Sequence, residues 1–138
     1  MSNPNVAWLF DDPTTVAKDY YRRTGIFPIM HVVGIRKELA EQNRWLPAAV
    51  FKAFGESKAK ALELLADTSA TKVTLPFVEE QLKAARETLG NDFWSYGVEP
   101  NRKTIEAFLH HHHAQGLSCR KVGLDELFHP STYESYSI

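Results

Sequence analysis

Two short apolar stretches stand among sequence that otherwise reads as helix, and two strands alone do not make a stable sheet. The first is residues 6–10, VAWLF, closed by Asp11, Asp12 and Pro13. The second is residues 31–36, HVVGIR, whose β-branched content makes it the best strand in the chain. Alternation along that strand sets His31, Val33 and Ile35 on one face and Val32, Gly34 and Arg36 on the other. Between the two lies Ile26-Phe27-Pro28-Ile29-Met30, where Pro28 biases its predecessor away from helical angles, so an extended segment is expected. The expected fold class is therefore α/β, mainly helical with about two strands. Those strands want a sheet that the chain does not itself contain, so the chain reads as a portion of something larger.

The helical signals are plain. Asp12 can cap a helix with Pro13 in its first position, and Gly25 stops it after Arg23. Residues 47–66 carry Val50, Phe51, Phe54, Ala61, Leu62 and Leu65 at mostly three- and four-residue steps. Gly55 falls inside that stripe, which suggests close packing or a bend there. A second long helix starts near Pro76 and ends at Gly90, with Val78, Leu82, Ala85 and Leu89 as its stripe. A third starts near Pro100 and Asn101 and stops at Gly116-Leu117. A short helix near residues 124–128 and a polar tail over 130–138 close the chain.

Composition excludes several classes. The formal net charge of -1 gives no electrostatic case for nucleic acid or an anionic membrane. No run approaches the roughly 20 apolar residues of a membrane span. The single cysteine, Cys119, cannot close an internal disulfide. The first residues lack a basic region followed by an apolar run, so a cytoplasmic location is expected.

Three stretches together carry a family likeness. One is YYRRTGIFPIMH at 20–31, running into VVGIR at 32–36. Another is Trp45 and the following helix with Ala53 and Phe54. The last is GNDFWSYG at 90–97 and EPNRK at 99–103, with QGL at 115–117 and ELF at 126–128 downstream. In order and spacing they resemble the C-terminal region of 4,5-dihydroxyphthalate decarboxylases. The resemblance implies a type II periplasmic-binding-protein-like fold, with two α/β lobes joined by crossing strands around a cleft. On that reading residues 1–30 end the second lobe and form the hinge. Residues 31–138 supply the crossing strand and the closing helices of the first lobe, and the N-terminal lobe is absent. The resemblance further implies a carboxy-lyase that acts on a dihydroxylated aromatic dicarboxylate and needs the missing half. The alternative is a non-catalytic module of the same fold that captures a small anion.

Such a reaction needs an acid/base group, cations for two carboxylates and an aromatic-lined slot. No cofactor is required, because the substrate's own phenolate accepts and returns the electron density. His31 is the acid/base candidate, since an unperturbed histidine titrates near pH 6.5 and the crossing strand borders the cleft. The other reading of His31 is a buried ring bonded to backbone. Arg22 and Arg23 can clamp a carboxylate with parallel hydrogen bonds, or can lie solvated at a helix end whose dipole they complement. Arg102 opposes the dipole at a helix start, so a ligand carboxylate or an acidic neighbour must account for it. Tyr21, Thr24 and Phe27 complete the substrate-binding set, with Phe27 favoured for stacking among Tyr20, Tyr21, Trp94 and Tyr96.

The run His110 to His113 places His110 and His113 one helical turn apart, but structural zinc takes four ligands and no second cluster is nearby, so no metal is expected. Unpaired apolar edges point to association with a second copy or with a separately encoded N-terminal half.

Overall fold

In the computed structural model, which describes residues 5–69 and 73–133, regular structure is helical throughout. Helix α1 (Pro13–Thr24) begins where Asp12 accepts the Thr15 N–H at 3.1 Å and the Thr15 hydroxyl at 2.6 Å. These bonds satisfy first-turn donors and hold the Asp12 carboxyl below its usual range. The helix ends at Gly25, whose φ of 67° carries the chain out of the helix while its N–H reaches the Tyr21 carbonyl.

Helices α2 (Lys37–Gln42), α3 (Leu46–Ala66) and α4 (Val78–Leu89) follow, and Gly90 closes α4. A 3-10 turn at Glu99–Asn101 leads into α5 (Arg102–Ala114), and Leu117 N–H returns to the His112 carbonyl across Gly116. The four-residue α6 (Leu124–Leu127) starts where the Glu126 carboxylate reaches back to the Gly123 N–H at 2.9 Å. A 3-10 turn at Pro130–Thr132 follows. The rest of the expected tail, and the tetrapeptide at the N-terminus, lie outside the described residues.

The two expected strands do not form: among the described residues there is no β-strand. A strand exists by pairing its backbone with a neighbour, and neither stretch is offered one. Residues 31–36 lie without regular structure, with Val32 73% and Val33 61% exposed. Trp8, in the other stretch, is 84% exposed. The α/β expectation is thus replaced by a helical chain.

The core is correspondingly small. Val98, Ile105, Leu109 and Leu124 are buried together, with Val122, Phe128 and Tyr133 packed against them. That cluster joins α5, α6 and the segments that flank them, whereas α1, α2 and α4 bury no residue. A compact monomer of 15.7 kDa exposes about 7,300 Å². This chain exposes 11173 Å². Gly55 fits the same pattern, because a side chain there would meet nothing within 4 Å and α3 is neither closely packed nor interrupted at that point.

Candidate functional site

The three stretches that carry the family likeness converge on one junction. The segment leaving α1 brings the Phe27 ring edge-on to Trp94, with centroids 5.5 Å apart. From α3, Lys58 reaches the same loop, donating to Asp92 at 2.7 Å and to the Trp94 carbonyl at 3.0 Å. Its ammonium also lies 4.7 Å from the centroid of the Tyr96 ring, within cation–π range.

The loop is held from its other side by Asn101. Its side-chain amide donates to the carbonyls of Ser95 and Gly97, both at 2.9 Å, and its oxygen accepts from the Ser95 hydroxyl at 3.1 Å. Gly97 has φ of 97°, and a side chain there would meet the Phe51 ring at 3.4 Å. The backbone then pairs with the end of the described chain, Val98 N–H donating to the Thr132 carbonyl at 3.3 Å. GNDFWSYG followed by EPNRK is therefore a pinned loop that presents Trp94 to the exit of α1 and Tyr96 to Lys58 of α3.

The cations divide into engaged and free. Arg22 pairs with Asp19 at 2.8 Å. Arg102 forks onto both oxygens of Glu99 and lies 3.5 Å from Glu106. This acidic neighbourhood satisfies the cation at the α5 start, raises the Arg102 pKa further and holds Glu99 below the usual carboxylate range. Arg23 and Lys103 make no ion pair among the described residues. The Lys103 ammonium lies 3.6 Å from where a side chain would begin at Gly25, so α5 delivers a cation to the α1 exit. Thr24 spends its hydroxyl on the turn itself, donating to the Tyr20 carbonyl at 2.7 Å and accepting from Ile26 N–H at 3.1 Å. Tyr21 supplies the carbonyl that receives Gly25 N–H.

His31 stands apart. It is exposed, and no hydrogen bond, ion pair or ring contact links it to the junction. Lys58 is the residue that sequence reasoning missed. It sits four residues after Phe54 and four before Leu62, on the apolar stripe of α3, and a lysine in such a stripe signals a polar partner.

The histidine run stays on α5: the His112 ring lies tilted at 42° against Phe108, and His113 Nδ1 donates to the Ser118 carbonyl at 3.3 Å. Among the described residues no group of three or more histidine, cysteine, aspartate or glutamate side chains is placed to hold a metal ion. No helix among them is long and apolar enough to cross a membrane.

No family model matches the chain. Similarity to a curated protein nonetheless runs along almost all of it. That protein, a 4,5-dihydroxyphthalate decarboxylase from Comamonas testosteroni, is 54% identical over 136 residues, which are 99% of this chain and 41% of the relative. The chain thus spans less than half the length of the relative that it matches.

Proposed function

We propose that this chain is part of a carboxy-lyase that releases carbon dioxide from a dihydroxylated aromatic dicarboxylate of the 4,5-dihydroxyphthalate class. The observation that carries the reading is the 54% identity over 136 residues to a protein of that name. In the proposed reaction the hydroxyl para to one carboxylate loses its proton. The phenolate then pushes electron density to the ring carbon that bears the carboxylate. A general acid protonates that carbon, the bond to the carboxylate breaks, and carbon dioxide leaves as the ring regains aromaticity. The phenolate regenerated in that step takes back the hydroxyl proton, so the balance is one proton taken up and one carbon dioxide lost, with no external oxidant or reductant.

In this proposal Phe27 and Trp94 flank the ring, and Arg23 and Lys103 meet carboxylates, since neither makes an ion pair among the described residues. Tyr21 and Thr24 shape the turn that presents Arg23. Arg22 and Arg102 act on substrate only by giving up Asp19 or Glu99. His31 serves as acid/base once its segment is seated. The surrounding fold in the same reading is the two-lobed, periplasmic-binding-protein-like one, and the remaining lobe comes from the polypeptide that corresponds to the rest of the relative. What supports this is the small core and the apolar stretches left without a neighbour.

The test is to assay 4,5-dihydroxyphthalate with the chain alone and with the chain joined to the missing part of the relative. Turnover only by the joined protein is the expected result. Binding without carbon dioxide release would establish a small-anion binding module and end the enzymatic reading.

A further inference from the structure

The loop from Asp92 to Gly97 is fixed from two sides, yet it leaves its largest ring open. From α3, the Lys58 ammonium gathers three alternate residues of the loop: the Asp92 carboxylate at 2.7 Å, the Trp94 carbonyl at 3.0 Å and the Tyr96 ring at 4.7 Å. From the turn before α5, Asn101 takes the carbonyls of Ser95 and Gly97. Three carbonyls of one short loop are thus each met by a side chain from another element. Burial usually offsets the ordering of a large side chain, but Trp94 stays 43% exposed. Its edge-to-face contact with Phe27 uses one part of the ring and leaves the rest uncovered. The hydrogen bonds behind Trp94 therefore fix the direction of an open ring, which is how a binding group is pre-organised by the residues that support it.

We infer that Lys58 is a positioning residue: it sets the Trp94 ring as the platform on which the aromatic ring of the ligand stacks, and it acts on the ligand only through Trp94. This rests on the proposed reading of the site as one for an aromatic dicarboxylate, and it adds the residue that gives the site its preference for a flat ring. The placement of Lys58 fits the role. It interrupts the apolar stripe of α3, and its side chain is mostly shielded while that of Asp92 is solvated. All its hydrogen bonds go to the loop that carries Trp94. A planar ligand ring gains a stacked contact with an indole held in place, whereas a saturated ring with the same carboxylate spacing gains only an apolar contact.

The experiment measures the affinity of the joined protein for phthalate and for cis-cyclohexane-1,2-dicarboxylate, by calorimetry well below the melting temperature of each variant. Both probes carry neighbouring carboxylates, and only phthalate is flat. The natural protein should favour phthalate, and Trp94→Leu should reduce that preference about threefold or more. Lys58→Met should reduce it to the same extent, and the double variant should lose no more than either single one. Lys58→Arg, which keeps the charge and a donor, should restore most of the preference. Should Lys58→Met not fold, Lys58→Gln takes its place with the same expectation. The inference is overturned if the Lys58 variant weakens both probes alike, the result for a lysine that only stabilises the loop or for a Trp94 covered by the rest of the polypeptide. It is also overturned if the two losses multiply in the double variant, or if the natural protein shows no preference for phthalate. Turnover of 4,5-dihydroxyphthalate is read separately. A preference that moves with Lys58 in a protein releasing no carbon dioxide would keep the positioning role and end the decarboxylase reading, and turnover with a preference untouched by Lys58→Met would do the reverse.

Discussion

Phe27 and Trp94 meet edge to face, their planes at 65° and their centroids 5.5 Å apart, and so tie the exit of α1 to the loop after α4. Such a pair contributes about 0.5–1.5 kcal/mol beyond the area it buries. Phe27→Leu and Trp94→Leu, alone and together, should show a coupling in that range when urea unfolding is followed. Strictly additive losses would mean that the two rings are neighbours without holding the junction.

Lys58 anchors the same loop through two unlike acceptors. Its side chain is 19% exposed while that of Asp92 is 61% exposed, so the carboxylate remains solvated and its share of the pair is small. The Trp94 carbonyl and the Tyr96 ring add a second hydrogen bond and a cation–π contact that the ion pair does not supply. Lys58→Met should therefore cost about 1–3 kcal/mol. Asp92→Asn should cost less than about 1 kcal/mol. Equal losses in urea titrations of the two variants would transfer the anchoring to the ion pair.

Two glycines should respond with opposite signs. Gly97 has a φ of 97° with the Phe51 ring in contact at 3.4 Å, so Gly97→Ala strains the backbone with little room to relax and should destabilise by more than about 1 kcal/mol. Gly55 lies within α3 with open space around it, so Gly55→Ala should stabilise by about 0.4–1 kcal/mol. Thermal melts of both variants check the contrast. A destabilising Gly55→Ala measured in the joined protein, but not in the chain alone, would place the other part against that face of α3.

What could be read from the sequence, and what could not, follows the range of the forces involved. The Asp12 cap, the Gly25 stop and the run of α3 depend on neighbours within a turn, and they stand as expected. The strand at 31–36 depends on a partner tens of residues away or in another polypeptide, and its β-branched residues cannot supply one. At the junction, Phe27 and Trp94 were each legible as aromatic candidates, but their meeting is a tertiary fact. Arg102 shows the limit most clearly: a cation at a helix start demands a reason, and only the structure supplies Glu99 and Glu106 as that reason. Lys103, one residue later, carried no local signal at all.

The α6 turn should loosen in acid. Glu126 accepts from both nitrogens of the Arg120 fork and from Gly123 N–H, and these bonds draw its pKa from 4.5 down to about 2. A carboxylate whose folded pKa lies below its unfolded one stabilises fully above the unfolded value and loses that stabilisation as pH falls through the folded one. The loss therefore falls between about pH 4.5 and pH 2. Hydrogen exchange at residues 124–128 should accelerate across this window in the natural chain. Glu126→Gln should be loose at neutral pH and show little further change, and an unaltered acid response in that variant would assign the transition to other carboxylates.

In the joined protein, Arg23 and Arg102 should separate by the parameter that each one moves. Arg23 is uncommitted, so a substrate carboxylate can take its full charge-assisted bond, worth about 1.5–3 kcal/mol. Arg23→Ala should raise KM roughly tenfold or more while kcat changes little, the signature of lost uniform binding. Arg102 already has Glu99 and Glu106, so Arg102→Ala should act on stability first, leaving two carboxylates near each other at the α5 start. Its KM should shift less than that of Arg23→Ala once the comparison is made well below the melting temperature. If instead Arg102→Ala raises KM more than Arg23→Ala at equal stability, substrate displaces Glu99 from the Arg102 fork, and the binding site moves from the α1 exit to the start of α5.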